Sequence, residues 1–269
     1  MDHHMSLDCL QNTQPHLKAQ LENGILTLAI DRPEAKNALY SDLYIAIEQA
    51  LYQADESKDV RIVILRGANQ DFTAGNDMQD FLKSLQQQRS PAGDNPPFLL
   101  LKSAAKFSKP LIIAVKGVAI GIGVTLLLHA DFVYTDNTAL FQIPFVSLGL
   151  SPEGASSKLI AKQAGSLLAS DLLLTARRFD AQTAQQAKLV TAIVDDVYAE
   201  AEKTAQHLSQ LPLASLKTTK KLMKSDLDDI VKCIDDEAEI FMQRVKQPEM
   251  MEALMAFKEK RKPDFSQFN

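Results

Sequence analysis

Residues 109–136, "KPLIIAVKGVAIGIGVTLLLHADFVYTD", decide the fold. The stretch opens with a short apolar run, "LIIAV", bounded by Pro110 on one side and Lys116-Gly117 on the other, which reads as a buried strand. A turn containing Gly121 and Gly123 then enters an apolar helix, and "DFVYTD" returns to strand. Strands alternating with helices in this way build a parallel or mixed sheet covered by helices. Upstream, "NGILTLAID" (23–31) reads as a strand, Ser41 as the cap of a helix over 42–55, and "VRIVILRGA" (60–68) as a second buried strand. A helix is expected from about Met78 to Gln88, interrupted by the polar loop 89–97, "RSPAGDNPP". A short strand follows at "ALFQI" (139–143), and another, "LVTAIVD" (189–195), interrupts a segment that is otherwise helical from Glu153 onward. The expected organisation is an α/β core over 1–199 and a charged, amphipathic helical region over 200–269.

Bulk properties set limits on partners. The chain has 269 residues, 46% hydrophobic and 23% charged, which is enough to bury a sizeable core. A net charge of -5 gives no support to nucleic-acid binding. No apolar run reaches the roughly 18 residues needed to span a bilayer, since the best candidate is broken by Lys116 and the glycines after it. The start "MDHHMSLDCLQNTQ" lacks the apolar segment of a secretory signal, so a cytoplasmic protein without membrane partners is expected. Cys9 and Cys233 lie far apart and form no CxxC pair, so neither a disulfide framework nor a metal site is expected. The histidines 3, 4, 16 and 207 have no motif around them, and His129 reads as a packed histidine of the apolar helix.

The glycines invite a nucleotide-binding reading, which fails. A dinucleotide fingerprint needs a third glycine where Leu126 stands, and no GK[ST] of a P-loop occurs. A glycine turn at a helix start has another use, because it lets backbone N–H groups approach a ligand closely. The loop "TAGNDM" (73–78) has the same character after its own strand. Two such N–H groups converging on one oxygen would form an oxyanion hole; from glycine alone, each turn is more simply explained as a tight connection.

The stretch "GLSPEGASSKL" (149–159) also has two readings. Ser151, Pro152 and Glu153 look like a cap, a first helical position and an acid favoured by the helix dipole. Alternatively, Glu153 is a catalytic base.

Several stretches together resemble the enoyl-CoA hydratase/isomerase, or crotonase, superfamily. They are "DRPEAKNAL" (31–39), "FTAGNDMQDF" (72–81), the long segment from Lys109 to Ser157, and "AFKEKRKPDF" (256–265). The likeness runs from about residue 20 to 265, and the motifs occur in the family's order. It implies a spiral of ββα units followed by a helical trimerisation region, an acyl-CoA thioester as substrate with no separate cofactor, and a homotrimer or dimer of trimers. Carried over by residue, it places the oxyanion N–H groups at Asn76 and Ile122, framed by Ala74, Gly75, Met78, Gly121 and Gly123. Asp77 then braces the first loop, Lys36 and Ala38 lie along the CoA, and Lys260 matches a position that can reach the CoA phosphates.

The departures from the family pattern sharpen the expectation. Hydratases of the family position water with two glutamates, and those places hold Thr125 and Phe145 here. Neither can serve as a carboxylate base. Glu153 instead matches the base of the Δ3,Δ2-enoyl-CoA isomerases, with "GND", "GVTLL" and "SPEG" resembling their peroxisomal type. The resemblance thus implies isomerisation of 3-enoyl-CoA to 2-trans-enoyl-CoA in fatty acid β-oxidation, with Phe145, Leu148 and Leu150 excluding water around the acyl chain. Another crotonase reaction, such as hydration or thioester hydrolysis, and a non-catalytic acyl-CoA-binding protein are the alternatives. The Asn76 side chain can be read either as a partner for Glu153 or as an ordinary turn residue.

Overall fold

A computed structural model of the protein describes residues 14–87 and 91–268. Cys9, His3, His4, Gln88 and the first two residues of the 89–97 loop lie outside the described residues. The chain folds as α/β with two sheets. The larger has the order β1-β2-β3-β4-β6-β9, built from Leu17–Glu22, Ile25–Ile30, Ile62–Gly67, Leu111–Val115, Phe132–Thr135 and Ala192–Ile193. The smaller joins β5 (Val118–Ile120), β7 (Leu140–Gln142) and β8 (Arg178–Asp180). Strands β2, β3, β4, β6 and β9 run parallel, and β1 pairs antiparallel to β2.

Each turn of the spiral passes from the large sheet to the small one and then into a helix. Strand β4 leads to β5 and the short helix α4 (Ile122–Thr125), and β6 leads to β7 and then α5 (Ser156–Ala164). Before them, β3 leads through a bridge between Thr73 and Ala119 into α2 (Met78–Gln87). Helices α1 (Ser41–Glu56) and α3 (Pro96–Lys106) complete the first half, and α6 (Ser166–Thr175) and α7 (Ala181–Gln186) follow α5. The C-terminal part is helical: α8 (Val197–Ser209), α9 (Leu213–Met223), α10 (Leu227–Val245) and α11 (Pro248–Lys258).

Period-2 alternation in the strands explains how the large sheet is covered on both faces. Ile62, Ile64, Ile112 and Ala114 point to one face and pack against Val197, Ala201, Ala205 and Leu208, which recur along one side of α8. Val63, Leu65, Leu111, Ile113 and Val115 point to the other and join the main core with α1, α3 and α10. The boundary drawn at 199/200 falls inside α8, and Ile230, Ile234, Phe241 and Leu254 of the C-terminal helices belong to the same core as the strands.

Three local expectations are corrected. Asn23-Gly24 does not begin a strand; both residues have positive φ and form the two-residue hairpin turn that joins β2 to a further strand, β1. Short β8 is a second strand beyond those read from the sequence. Ser41 does not cap α1 with its side chain; its N–H and hydroxyl both donate to Asp80 of α2, at 2.8 and 2.7 Å. Ser151-Pro152-Glu153 does not start a helix. Gly154 and Ala155 are both left-handed, so α5 begins only at Ser156 and Glu153 stands in the loop before it.

In the small sheet, Phe141 is fully buried and stacks on Phe179 at 5.6 Å. Truncation of Phe141 to Ala is expected to destabilise the fold by about 3–5 kcal/mol, read by urea unfolding. A loss below ~1 kcal/mol would contradict this packing.

Candidate active site

The two glycine turns are fastened to each other. Thr73 N–H donates to Val118 carbonyl at 3.0 Å, and Ile120 N–H donates to Thr73 carbonyl at 3.1 Å. On its other side the loop is held by Leu39, whose N–H donates to Gly75 carbonyl and whose carbonyl accepts from Asp77 N–H, both at 2.8 Å. Gly75 has φ +85°, and a Cβ there would stand 2.6 Å from Ile120 carbonyl oxygen. Only glycine lets the two loops approach this closely. Among the described residues, the N–H groups of Asn76 and Ile122 take no part in these loop hydrogen bonds. Ile122 is the first residue of α4, and Gly121 before it adopts φ 58°, ψ -118°. Its N–H therefore adds the positive potential of a helix start to a free donor.

The loop Ala74–Asn76 lines two hollows. A groove of about 230 Å3 is lined by Lys36, Ala74, Ile120, Phe141, Gln142 and Arg178. A narrow cavity of about 50 Å3 is lined by Tyr44, Asn76, Phe81, Phe98, Glu153 and Phe241, among others. Phe241 forms its aromatic centre, with edge-on contacts to Phe98, Phe145 and Phe81 at 5.7, 6.1 and 6.4 Å. Phe145 and Leu150 are buried behind this wall.

Three carboxylates reach the cavity, and their surroundings differ. Asp77 accepts from Arg32 at 2.8 Å and from the N–H groups of Gln79 and Asp80. Burial raises its pKa, but these donors outweigh burial and hold it below the usual range. Asp80 is engaged by Ser41. Glu153 is 1% exposed and meets no cation among the described residues; its hydrogen bond comes from the Thr125 hydroxyl, at a long 3.4 Å. Burial first, and the Glu237 carboxylate second, push its pKa up to about 8, against the weaker pull of Thr125. With its proton affinity raised, Glu153 is placed to exchange a proton near neutral pH.

The sequence-derived positions thus fall into groups. Glu153, Asn76 and Asp77 line the cavity, with Ile122 and Gly123 buried beside the paired loops. Lys36 and Ala74 line the groove, and Ala38 sits at its edge with its carbonyl accepting from Arg32. Met78 begins α2 and packs on the core. Lys260 is exposed past the end of α11 and lines neither hollow. His129 is buried and bonds Gly154 carbonyl at 3.0 Å; burial and Lys224 hold its pKa down to about 3, so it stays neutral.

Tyr44, Phe241 and Glu237 were not anticipated. Tyr44 donates to the Asn76 side-chain oxygen, and burial followed by the charge of Glu153 raises its pKa well above the ordinary value. In sequence it sits on the apolar stripe of its helix with Leu43 and Ile47, where its hydroxyl is the sole hint of a polar partner. Phe241 reads as one more apolar position of α10, and Glu237 as part of a solvated acidic run, "DDEAE".

A family model described as enoyl-CoA hydratase/isomerase matches residues 20–268. The 1,2-epoxyphenylacetyl-CoA isomerase of Escherichia coli K12 is 29% identical over 92% of this chain and 97% of its own. The enoyl-CoA delta isomerase 2 of Rattus norvegicus is 31% identical over 88% of this chain, which spans 61% of that protein. Among solved structures, the enoyl-CoA hydratase/isomerase of Pseudoalteromonas atlantica T6c superposes with a TM-score of 0.86, at 37% identity over 93% of this chain and 100% of that one.

Proposed function

The chain belongs to the enoyl-CoA hydratase/isomerase family, and we propose that within it the protein isomerises 3-enoyl-CoA to 2-trans-enoyl-CoA in β-oxidation. The observation carrying this reading is Glu153, a buried carboxylate with no cation partner among the described residues, beside Thr125 where a hydratase would offer a second glutamate. CoA lies along the groove of Lys36 and Arg178, and its thioester oxygen meets the N–H groups of Asn76 and Ile122. Glu153 removes a proton from C2; the electrons of that C–H bond move onto the thioester oxygen, whose charge the two N–H groups stabilise. The enolate then collapses, the double bond moves from C3–C4 to C2–C3, and Glu153 returns its proton to C4. Water is neither needed nor welcome, and the aromatic wall around Phe241 limits its entry.

Product analysis of 3-enoyl-CoA and 2-enoyl-CoA incubations tests this reading. Isomerisation without appreciable hydration is expected; hydration at an equal rate, or thioester hydrolysis, would replace it with one of the other family reactions. The pH profile is a second check. The base works ionised, so kcat/KM should rise as pH climbs through about 8 and level above it. An ordinary glutamate, titrating near ~4.3, would give a flat profile over that range.

The trimer belongs to the same proposal. Leu167 and Leu174 on α6, and Met255 and Phe257 on α11, are exposed apolar side chains that support association between copies. No helix among the described residues is long and apolar enough to cross a membrane, and the cytoplasm is the proposed location.

A further inference from the structure

Lys109, Glu153, Lys220, Glu237 and Glu252 are the charged side chains buried among the described residues. Lys109 donates to the carbonyls of Ala54 and Ser57, Lys220 pairs with Asp131, and Glu252 is held by Arg261. Glu153 and Glu237 have no cation partner among the described residues, and the charge of Glu237 bears on Glu153. Glu237 lies on α10 one helical turn before Phe241, the centre of the aromatic wall. One of its oxygens accepts from both the N–H and the hydroxyl of Ser157, the former at 3.1 Å. Its other oxygen is buried with no hydrogen-bond partner among the described residues, and the Ser156 hydroxyl is buried without one too. Glu237 thus caps the helix that ends the Glu153 loop, a task a neutral amide could perform as well.

We propose that Glu237 is a positioning residue for the proton transfer: it anchors the first turn of α5, and with it the Glu153 loop, and it holds a second carboxylate behind the base. This rests on the isomerase reading of Glu153. Two carboxylates sharing a buried region do not ionise independently, and the proton is bound more tightly than either would bind it alone. A carboxylate of higher proton affinity is a stronger base towards a C2 proton. The other groups facing Glu153 are the hydroxyls of Thr125 on α4 and Tyr44 on α1, with Asp77 and Asp80 bearing on Tyr44. His129, behind Gly154, is neutral, with Lys224 close to it. Facing Glu237 are Cys233 on its own helix and the first N–H groups of α5, with the charge of Lys158 bearing on Cys233.

Glu237→Gln keeps an acceptor for Ser157 and removes the charge. The acid limb of kcat/KM is expected to move to lower pH by on the order of 1 unit, the coupling at which paired groups titrate together. The plateau at high pH is expected to fall a few-fold, because the remaining base is weaker. A uniform loss at every pH, or an unmoved limb in a folded variant, would overturn the proposal, since a structural cap alone predicts one or the other. Infrared titration of the carboxyl band that disappears in Glu153→Gln reads the same shift without turnover. It therefore separates failure of this proposal from failure of the isomerase reading. Should Glu237→Gln not fold, the wild type decides: two carboxyl bands titrating in linked steps support the pair, and independent titration overturns it.

Discussion

Glu153→Gln is expected to lower isomerisation of 3-enoyl-CoA by at least about 1,000-fold while leaving acyl-CoA binding intact. A positioned acid or base contributes roughly 100- to 10,000-fold, and here one group does both jobs in turn, so its loss removes both proton transfers. The amide keeps the shape of the side chain and can still accept from the Thr125 hydroxyl. It also removes a buried ionisable group that lacks a cation, so the variant should unfold no more readily than the wild type. Steady-state kinetics, with a thermal melt and a CoA-ester titration on the same preparation, checks all three parts. A variant with more than a tenth of wild-type activity would remove Glu153 from the reaction.

Gly75→Ala is expected to have the next largest effect, acting through geometry alone. Its Cβ would meet Ile120 carbonyl oxygen at 2.6 Å, and the residue would have to keep φ +85°. Relief requires the Asn76 loop and the β5–α4 turn to move apart, which takes the Asn76 N–H off the thioester oxygen. Loss of one oxyanion donor costs about 2.7–4 kcal/mol of transition-state stabilisation, or roughly 100- to 1,000-fold in kcat. KM should change less, because the Lys36 and Arg178 side chains of the groove take no part in the strained contact. A variant with unchanged kcat would mean that the two loops do not form the oxyanion site.

Much of this arrangement was legible in the sequence because local chemistry and tertiary role coincide. The apolar runs 62–67 and 111–115 are buried strands whichever neighbours they find. Gly75 and Gly121 mark places where the backbone adopts positive φ. Glu153 stood out because Thr125 and Phe145 occupy the places of other acids. The misreadings occurred where a distant residue satisfies a local need. Ser41 resembles its own cap, yet its donors go to Asp80, 39 residues away. Ser151-Pro152-Glu153 resembles a helix start, yet the helix begins at Ser156 and takes its cap from Glu237, 80 residues beyond Ser157. Tyr44 and Glu237 went unnoticed for the same reason: an apolar stripe hides the one, an acidic run the other, and only α1 and α10 packing around the SPEG loop gives them work. Glu153 itself stands outside the helix with its side chain buried, and only its carbonyl, which accepts from Ser156 N–H at 3.2 Å, meets the helix start.

The central claim is that one enclosed carboxylate takes a proton from C2 and gives the same proton to C4. The most direct measurement uses 3-enoyl-CoA carrying deuterium at both C2 positions, with the position of the label in the product read by NMR and mass spectrometry in ordinary water. The account predicts 2-trans-enoyl-CoA with one deuterium kept at C2 and the other recovered at C4. Complete loss of the transferred label to solvent, or a product that has gained water across the double bond, would contradict it.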